Sequence, residues 1–92
     1  MKVVKSDTPE KRFVAIFTNG KRVKFGQPGA NTYLDGASEQ TRKNYIARHR
    51  VNENWSDPYS PGALARYILW EHRSLSVAVR DYNRRFLNRD LT

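Results

Sequence analysis

Residues 11–26, KRFVAIFTNGKRVKFG, constrain the fold more than any other stretch of the chain. β-Branched and aromatic residues alternate before Asn19-Gly20, so Phe13, Ala15 and Phe17 share one side of a strand and Val14 and Ile16 the other. After the turn, Val23 and Phe25 share a face, with Arg22 and Lys24 opposite. Asn-Gly tolerates the positive φ angles of a type I′ turn, the common two-residue hairpin connection. An antiparallel hairpin over 11–26 follows. Two strands alone are marginal in water, so the phenylalanine face must lean on other elements.

Those elements are helices. Residues 1–10 are polar, carry Pro9 and read as a flexible N-terminal arm. Residues 27–37 have the Gly, Pro, Asn and Asp content of a loop, which Tyr33 and Leu34 can pin. From Ser38, an N-cap residue type, a basic helix is predicted over about 38–50, with Arg42, Tyr45, Ile46 and His49 recurring every three or four positions. VNENWSDPYSP breaks it. Ser60-Pro61 then reads as an N-cap followed by proline at the first helical position, where the missing N–H costs nothing. Helix two is expected over about 61–71, with Leu64, Tyr67, Ile68 and Trp70 inward. Ser74 caps helix three, 75–88, whose apolar stripe is Leu75, Ala78, Val79, Tyr82 and Phe86. The reading is one small α+β domain over 11–88, an N-terminal antiparallel hairpin packed on three α-helices.

The chain has 92 residues and no cysteine. It can build one core and bury roughly 60–65% of its unfolded surface, without a disulfide or a cysteine-based zinc site to help. That fits a reducing compartment. Large aromatics must then fill the interior, and the expected core is Phe13, Phe17, Phe25, Tyr45, Ile46, Trp55, Leu64, Tyr67, Ile68, Trp70, Val79, Tyr82 and Phe86. Trp55 allows two readings. It could stack on bases or fill a partner's pocket. The favoured reading is a buried anchor for the interhelix loop, its indole N–H satisfied, with Asn52, Asn54 and Asp57 bonding the loop backbone.

Seventeen Lys and Arg face nine acids, for a net charge of +8 and a pI near 10.2. Such a field attracts polyanions. The cations gather in two places: Lys11, Arg12, Lys21, Arg22 and Lys24 on the hairpin, and Arg42, Lys43, Arg80, Arg84 and Arg85 on the helices. These ten are the candidate nucleic-acid contacts. Helices two and three, joined by residues 71–74, imitate a helix-turn-helix, but the spacing is generic. Phosphate contact with little sequence reading is the expectation. The apolar runs are too short to span a membrane, and the N-terminus lacks the apolar core of a signal peptide. Enzyme signals are weak. His49 and His72 are the only histidines. His49 with Glu53 can be drawn as an acid–base pair, or with Asp57 as a metal site, yet no third ligand has diagnostic spacing. No Gly-x-Ser-x-Gly or phosphate-loop pattern occurs. The expectation is a non-enzyme with no metal or cofactor.

Several strings carry a family resemblance. They are Lys24-Phe25-Gly26, Tyr45-Ile46-x-Arg48-His49, Asn52-Glu53-Asn54-Trp55-x-Asp57-Pro58, Gly62-Ala63-Leu64-x-Arg66-Tyr67-Ile68-Leu69-Trp70, and Arg80-Asp81-Tyr82-x-x-Arg85-Phe86. Over residues 11–86 the chain resembles an uncharacterised family of small basic proteins encoded by large nucleocytoplasmic DNA viruses of algae and amoebae. The 35–41 segment, DGASEQT, is less charged than its usual counterpart there. The resemblance implies a viral protein and no known reaction, so it brings no catalytic residues. It implies two settings: an architectural protein on DNA, or a minor virion or capsid-associated protein whose basic face binds an acidic viral protein. The implied location is the virion, or the host cytoplasm or nucleus. A small nuclease is a distant third.

Overall fold

The computed structural model describes residues 1–87, so position 88, the expected end of helix three, lies outside the described residues. Three antiparallel strands, β1 (Lys2–Lys5), β2 (Phe13–Ile16) and β3 (Arg22–Phe25), form a sheet in the order β1-β2-β3. Three helical segments follow: α1 (Glu39–His49), α2 (Pro61–Leu64, continued by a π-helical turn, Ala65–Leu69) and α3 (Leu75–Tyr82, continued by a π-helical turn, Asn83–Leu87). A short 3₁₀ turn, Tyr33–Asp35, lies between sheet and α1. The architecture is α+β, as the sequence predicts.

The hairpin forms where expected, with Phe13 opposite Phe25 and Ile16 opposite Arg22. Its turn differs. Gly20 has φ 91° and among the described residues no non-glycine has positive φ, which rules out type I′. Gly20 N–H donates to Phe17 C=O (3.0 Å), and Phe17 N–H to Lys21 C=O (2.9 Å). This is the three-residue loop closed by a left-handed glycine bulge. The Asn19 side chain accepts from Lys21 N–H (3.0 Å), bonding the bulge instead of supplying a second left-handed residue.

The arm is the larger correction. Residues 2–5 pair with β2, Val3 opposite Ala15 and Val4 opposite Val14. Only four residues alternate here, too few to outweigh the polar composition of 1–10. The free edge of β2 decides the matter, because its N–H and C=O groups need partners. The segment is also fixed beyond the sheet: Ser6 N–H donates to Arg12 C=O (3.0 Å), and Asn83 Nδ2 donates to Met1 C=O (3.1 Å).

All three cap assignments hold. Ser38, Ser60 and Ser74 accept at Oγ from the N–H groups of Thr41 (3.1 Å), Ala63 (3.1 Å) and Val77 (3.4 Å). The core joins Ala15, Phe17 and Phe25 of the sheet to Tyr45 of α1, Leu64, Ile68, Leu69 and Trp70 of α2 and its end, and Ala78 and Tyr82 of α3. Phe13, Ile46, Tyr67, Val79 and Phe86 pack around it, partly buried. Leu69 is buried because the π turn adds a residue to the repeat, swinging 69 and 70 inward beside Leu64 and Ile68. Each large buried apolar side chain contributes about 1.5–3 kcal/mol.

Trp55 is not in this core; it is half-buried. Its indole N–H donates to Glu53 Oε2 (3.1 Å) and its ring lies 5.4 Å from the Arg66 guanidinium. The loop does not depend on a tryptophan anchor, because its own polar groups bond its backbone. Asn54 Oδ1 accepts from Ser56 N–H (3.1 Å) and Asp57 Oδ1 from Tyr59 N–H (3.0 Å). Tyr82 reaches across from α3 to donate to Pro58 C=O (2.6 Å).

Candidate functional site

Acids sort the cations into two classes. Glu71, just past α2, gathers three arginines: Oε1 accepts from Arg42 Nη2 (2.6 Å) and Arg66 Nη1 (2.7 Å), and Oε2 from Arg85 Nη1 (3.3 Å). Burial works to raise the Glu71 carboxyl, but the bonds from Arg66 and Arg42 outweigh it and hold it below the ordinary glutamate value. Arg42 also donates through Nε to Trp70 C=O (2.8 Å), satisfying a backbone acceptor at the end of α2. Asp81 of α3 meets His72 Nε2 (2.9 Å), Arg85 Nη1 (3.4 Å) and Arg84. Burial would raise its carboxyl too, and these partners lower it. Arg12 holds Asp35 in a two-point pair (2.5 and 2.6 Å), keeping that carboxyl well below the usual range. Five predicted nucleic-acid contacts are therefore tied to carboxylates of this chain: Arg12, Arg42, Arg84 and Arg85, and Lys24 through the exposed Asp7. Of these, Arg84 stays 70% exposed at its side chain.

The other cations face outward. The strand register aligns Lys2, Ile16 and Arg22 across the sheet, and Val4, Val14 and Lys24 in the adjacent row. Directly paired residues share a face, and both rows lie opposite the Phe13–Phe25 face. Lys2, Arg22 and Lys24 thus share this face and flank Val14 and Ile16 of the central strand; Val14 is buried, and Val4 on the edge strand is 41% exposed. Lys24 touches the exposed Asp7 (3.3 Å). Lys21 sits at the hairpin turn, Nζ 4.9 Å over the Tyr59 ring. Lys43 on α1 and Arg80 on α3 are exposed, on elements separate from the sheet. Among the described residues no acid pairs with Lys2, Lys11, Lys21, Arg22, Lys43 or Arg80. Sequence reasoning missed Lys2, whose Lys-Val-Val-Lys setting was the only signal, together with the exposed Lys5, Arg48 and Arg50.

A cleft of about 540 Å³ opens beside the end of α1, lined by Lys11, Tyr45, Arg48, His49, Glu53 and Trp70 among others. Tyr45 is sandwiched between Trp70 (ring centroids 4.3 Å, planes 9° apart) and His49 (4.2 Å, 25°). Burial pushes the Tyr45 hydroxyl up to about 12. His49 and Glu53 do meet, Nδ1 to Oε2 at 3.4 Å. Asp57 instead serves the loop backbone, and His72 lies apart on Asp81. No group of three or more His, Cys, Asp or Glu that could hold a metal ion occurs among the described residues. No helix among them is long and apolar enough to cross a membrane.

Residues 1–49, the sheet and α1, match the model of the Family of unknown function (DUF5754). The chain belongs to this family. It is also 38% identical over 80 residues to Uncharacterized protein L851 of Acanthamoeba polyphaga mimivirus, an alignment covering 76% of this chain and 80% of the relative. The family match and this relative bear out a viral family without an assigned function. No solved structure matches.

Proposed function

We propose that this is a non-enzymatic viral architectural protein that binds nucleic acid through Lys and Arg, largely without sequence specificity. The supporting observation is the sorting of charge. The carboxylates drawn into the fold hold Arg12, Arg42, Arg66 and Arg85, while exposed Lys2, Arg22 and Lys24 share one face of the sheet, where the acid they meet is the exposed Asp7. A face of this kind suits phosphates, which need positive charge without fixed side-chain geometry. Helix three reads poorly as a recognition helix, since Arg84 and Arg85 lean on Asp81.

Equilibrium binding to duplex DNA across a salt series tests the reading. Each phosphate neutralised contributes about −0.9 to the log–log slope, so contacts from Lys2, Lys21, Arg22 and Lys24 give roughly −3.6, with similar affinity for unrelated sequences. Weak binding even at low salt, with saturable binding to an acidic virion protein, favours the virion-component reading. Tight, salt-resistant binding to one site rejects both.

A further inference from the structure

We infer that the cleft beside α1 receives one unpaired nucleobase, stacked on the His49 end of the Trp70–Tyr45–His49 column, so that the protein holds single-stranded nucleic acid more tightly than duplex. This rests on the nucleic-acid reading above and adds a site to it.

The column is already assembled. Trp70, Tyr45 and His49 lie nearly parallel at stacking separations, with Tyr45 in the middle. Tyr45 and Trp70 are each only 8% exposed, whereas the His49 side chain is 35% exposed. The imidazole is therefore the accessible end, and a base placed on it extends a stack whose ordering is complete before binding. Stacking on such a platform tolerates any base, because every base has a π-face.

The cleft is lined by two cations, Lys11 and Arg48, and two acids, Glu10 and Glu53. Lys11 and Arg48 line the cleft without an acid partner among the described residues and can meet the flanking phosphates. Glu53 directs Oε2 to the Trp55 indole and to His49, leaving Oε1 against Gly62. That oxygen can accept from an exocyclic amine on the base edge. A Cβ at position 62 would stand 3.3 Å from the Glu53 carboxylate, so glycine there lets that carboxylate pack close to the backbone. The volume of about 540 Å³ lies within the ordinary range for small-molecule sites, on the order of 300–1,000 Å³, and is too small for a duplex.

The test measures binding of the whole chain to three probes of one sequence, about ten nucleotides long: single-stranded DNA, single-stranded RNA and duplex DNA, at equal salt. Tryptophan fluorescence reports on the cleft, since Trp70 lines it. Single strands should bind about tenfold tighter than duplex and quench the fluorescence. His49→Ala should remove most of that advantage and leave duplex affinity unchanged. His49→Phe, which keeps a stacking ring, should retain it, so a general folding defect is distinguishable from a lost platform. Comparing the two single strands shows whether the sugar matters; either result is compatible with a base-stacking cleft only if His49→Ala weakens the strand that binds. Equal affinity for duplex and single strands overturns the inference while leaving the nucleic-acid reading intact, as does a His49→Ala effect that is absent or equal on all probes. Failure of every probe to bind overturns both.

Discussion

The Glu71–Asp81 cluster and the outer face of the sheet carry the same sign of side chain and put it to opposite uses. In the cluster, Arg42, Arg66 and Arg85 converge on Glu71, and Arg42 braces the Trp70 carbonyl beside the stacked Tyr45. Arginine suits this place because its planar fork offers several directed donors at once and stays charged when partly buried. On the sheet, Lys2, Arg22 and Lys24 meet little but solvent and the exposed Asp7. Lysines on the edge strand β1 also discourage strand-to-strand association. A net charge of +8 therefore says less than the count suggests, because the arginines held by carboxylates serve the fold.

The comparison breaks most visibly at the tryptophans. Trp70→Ala removes a buried ring from the column beside the cluster and should cost about 3–5 kcal/mol in chemical denaturation. Half-buried Trp55→Ala should cost about 1–2 kcal/mol. Equal losses would mean that the 52–60 loop is as much core as α2. Next is Glu71→Gln, which leaves three arginines facing a neutral amide; a loss of about 2 kcal/mol is expected, within the range for hydrogen bonds to a charged group. A variant as stable as the parent would show the cluster to be solvated surface.

Acid should reveal the same asymmetry. Glu71, Asp81 and Asp35 have carboxyls held below their ordinary values. Their contribution is complete above the ordinary values, 4.5 for Glu71 and 3.8 for the aspartates, and is lost as pH falls through the lower folded values. Thermal melts should decline on that limb, less steeply in Glu71→Gln. At the alkaline end the sign reverses. Tyr45 is held neutral by burial, so stability should fall as pH rises from the ordinary 10 toward about 12. The smallest stability effect belongs to the sheet face. Lys2→Ala with Arg22→Ala should change stability by no more than about 0.5 kcal/mol, yet flatten the salt slope of DNA binding by up to about 2. Arg85→Ala should do the reverse, lowering the melting temperature with little change in slope.

Much of the fold was legible locally. The β2–β3 hairpin follows from alternation, and the three helix starts follow from serines whose hydroxyls cap the third residue onward. These are short-range effects, settled by neighbours in the chain. The candidate site was legible only in its ingredients. His49 and Glu53 meet across the turn that ends α1, a contact their four-residue separation allows but does not fix, and nothing in the spacing brings Trp70 against Tyr45. The glycine bulge, the π turns and the half-exposed Trp55 were equally hidden, because each depends on how a segment meets the rest of the chain.

The sequence by itself determined the α+β order of elements, their caps, the aromatic core and the excess of positive charge. The tertiary structure alone decided that residues 2–5 become a strand, which arginines are claimed by carboxylates, and which cations share a face. The physical reason is range. Alternation and capping act over a few residues along the chain, whereas edge pairing, ion pairing and ring stacking join residues far apart in sequence, whose proximity exists only once the core has closed.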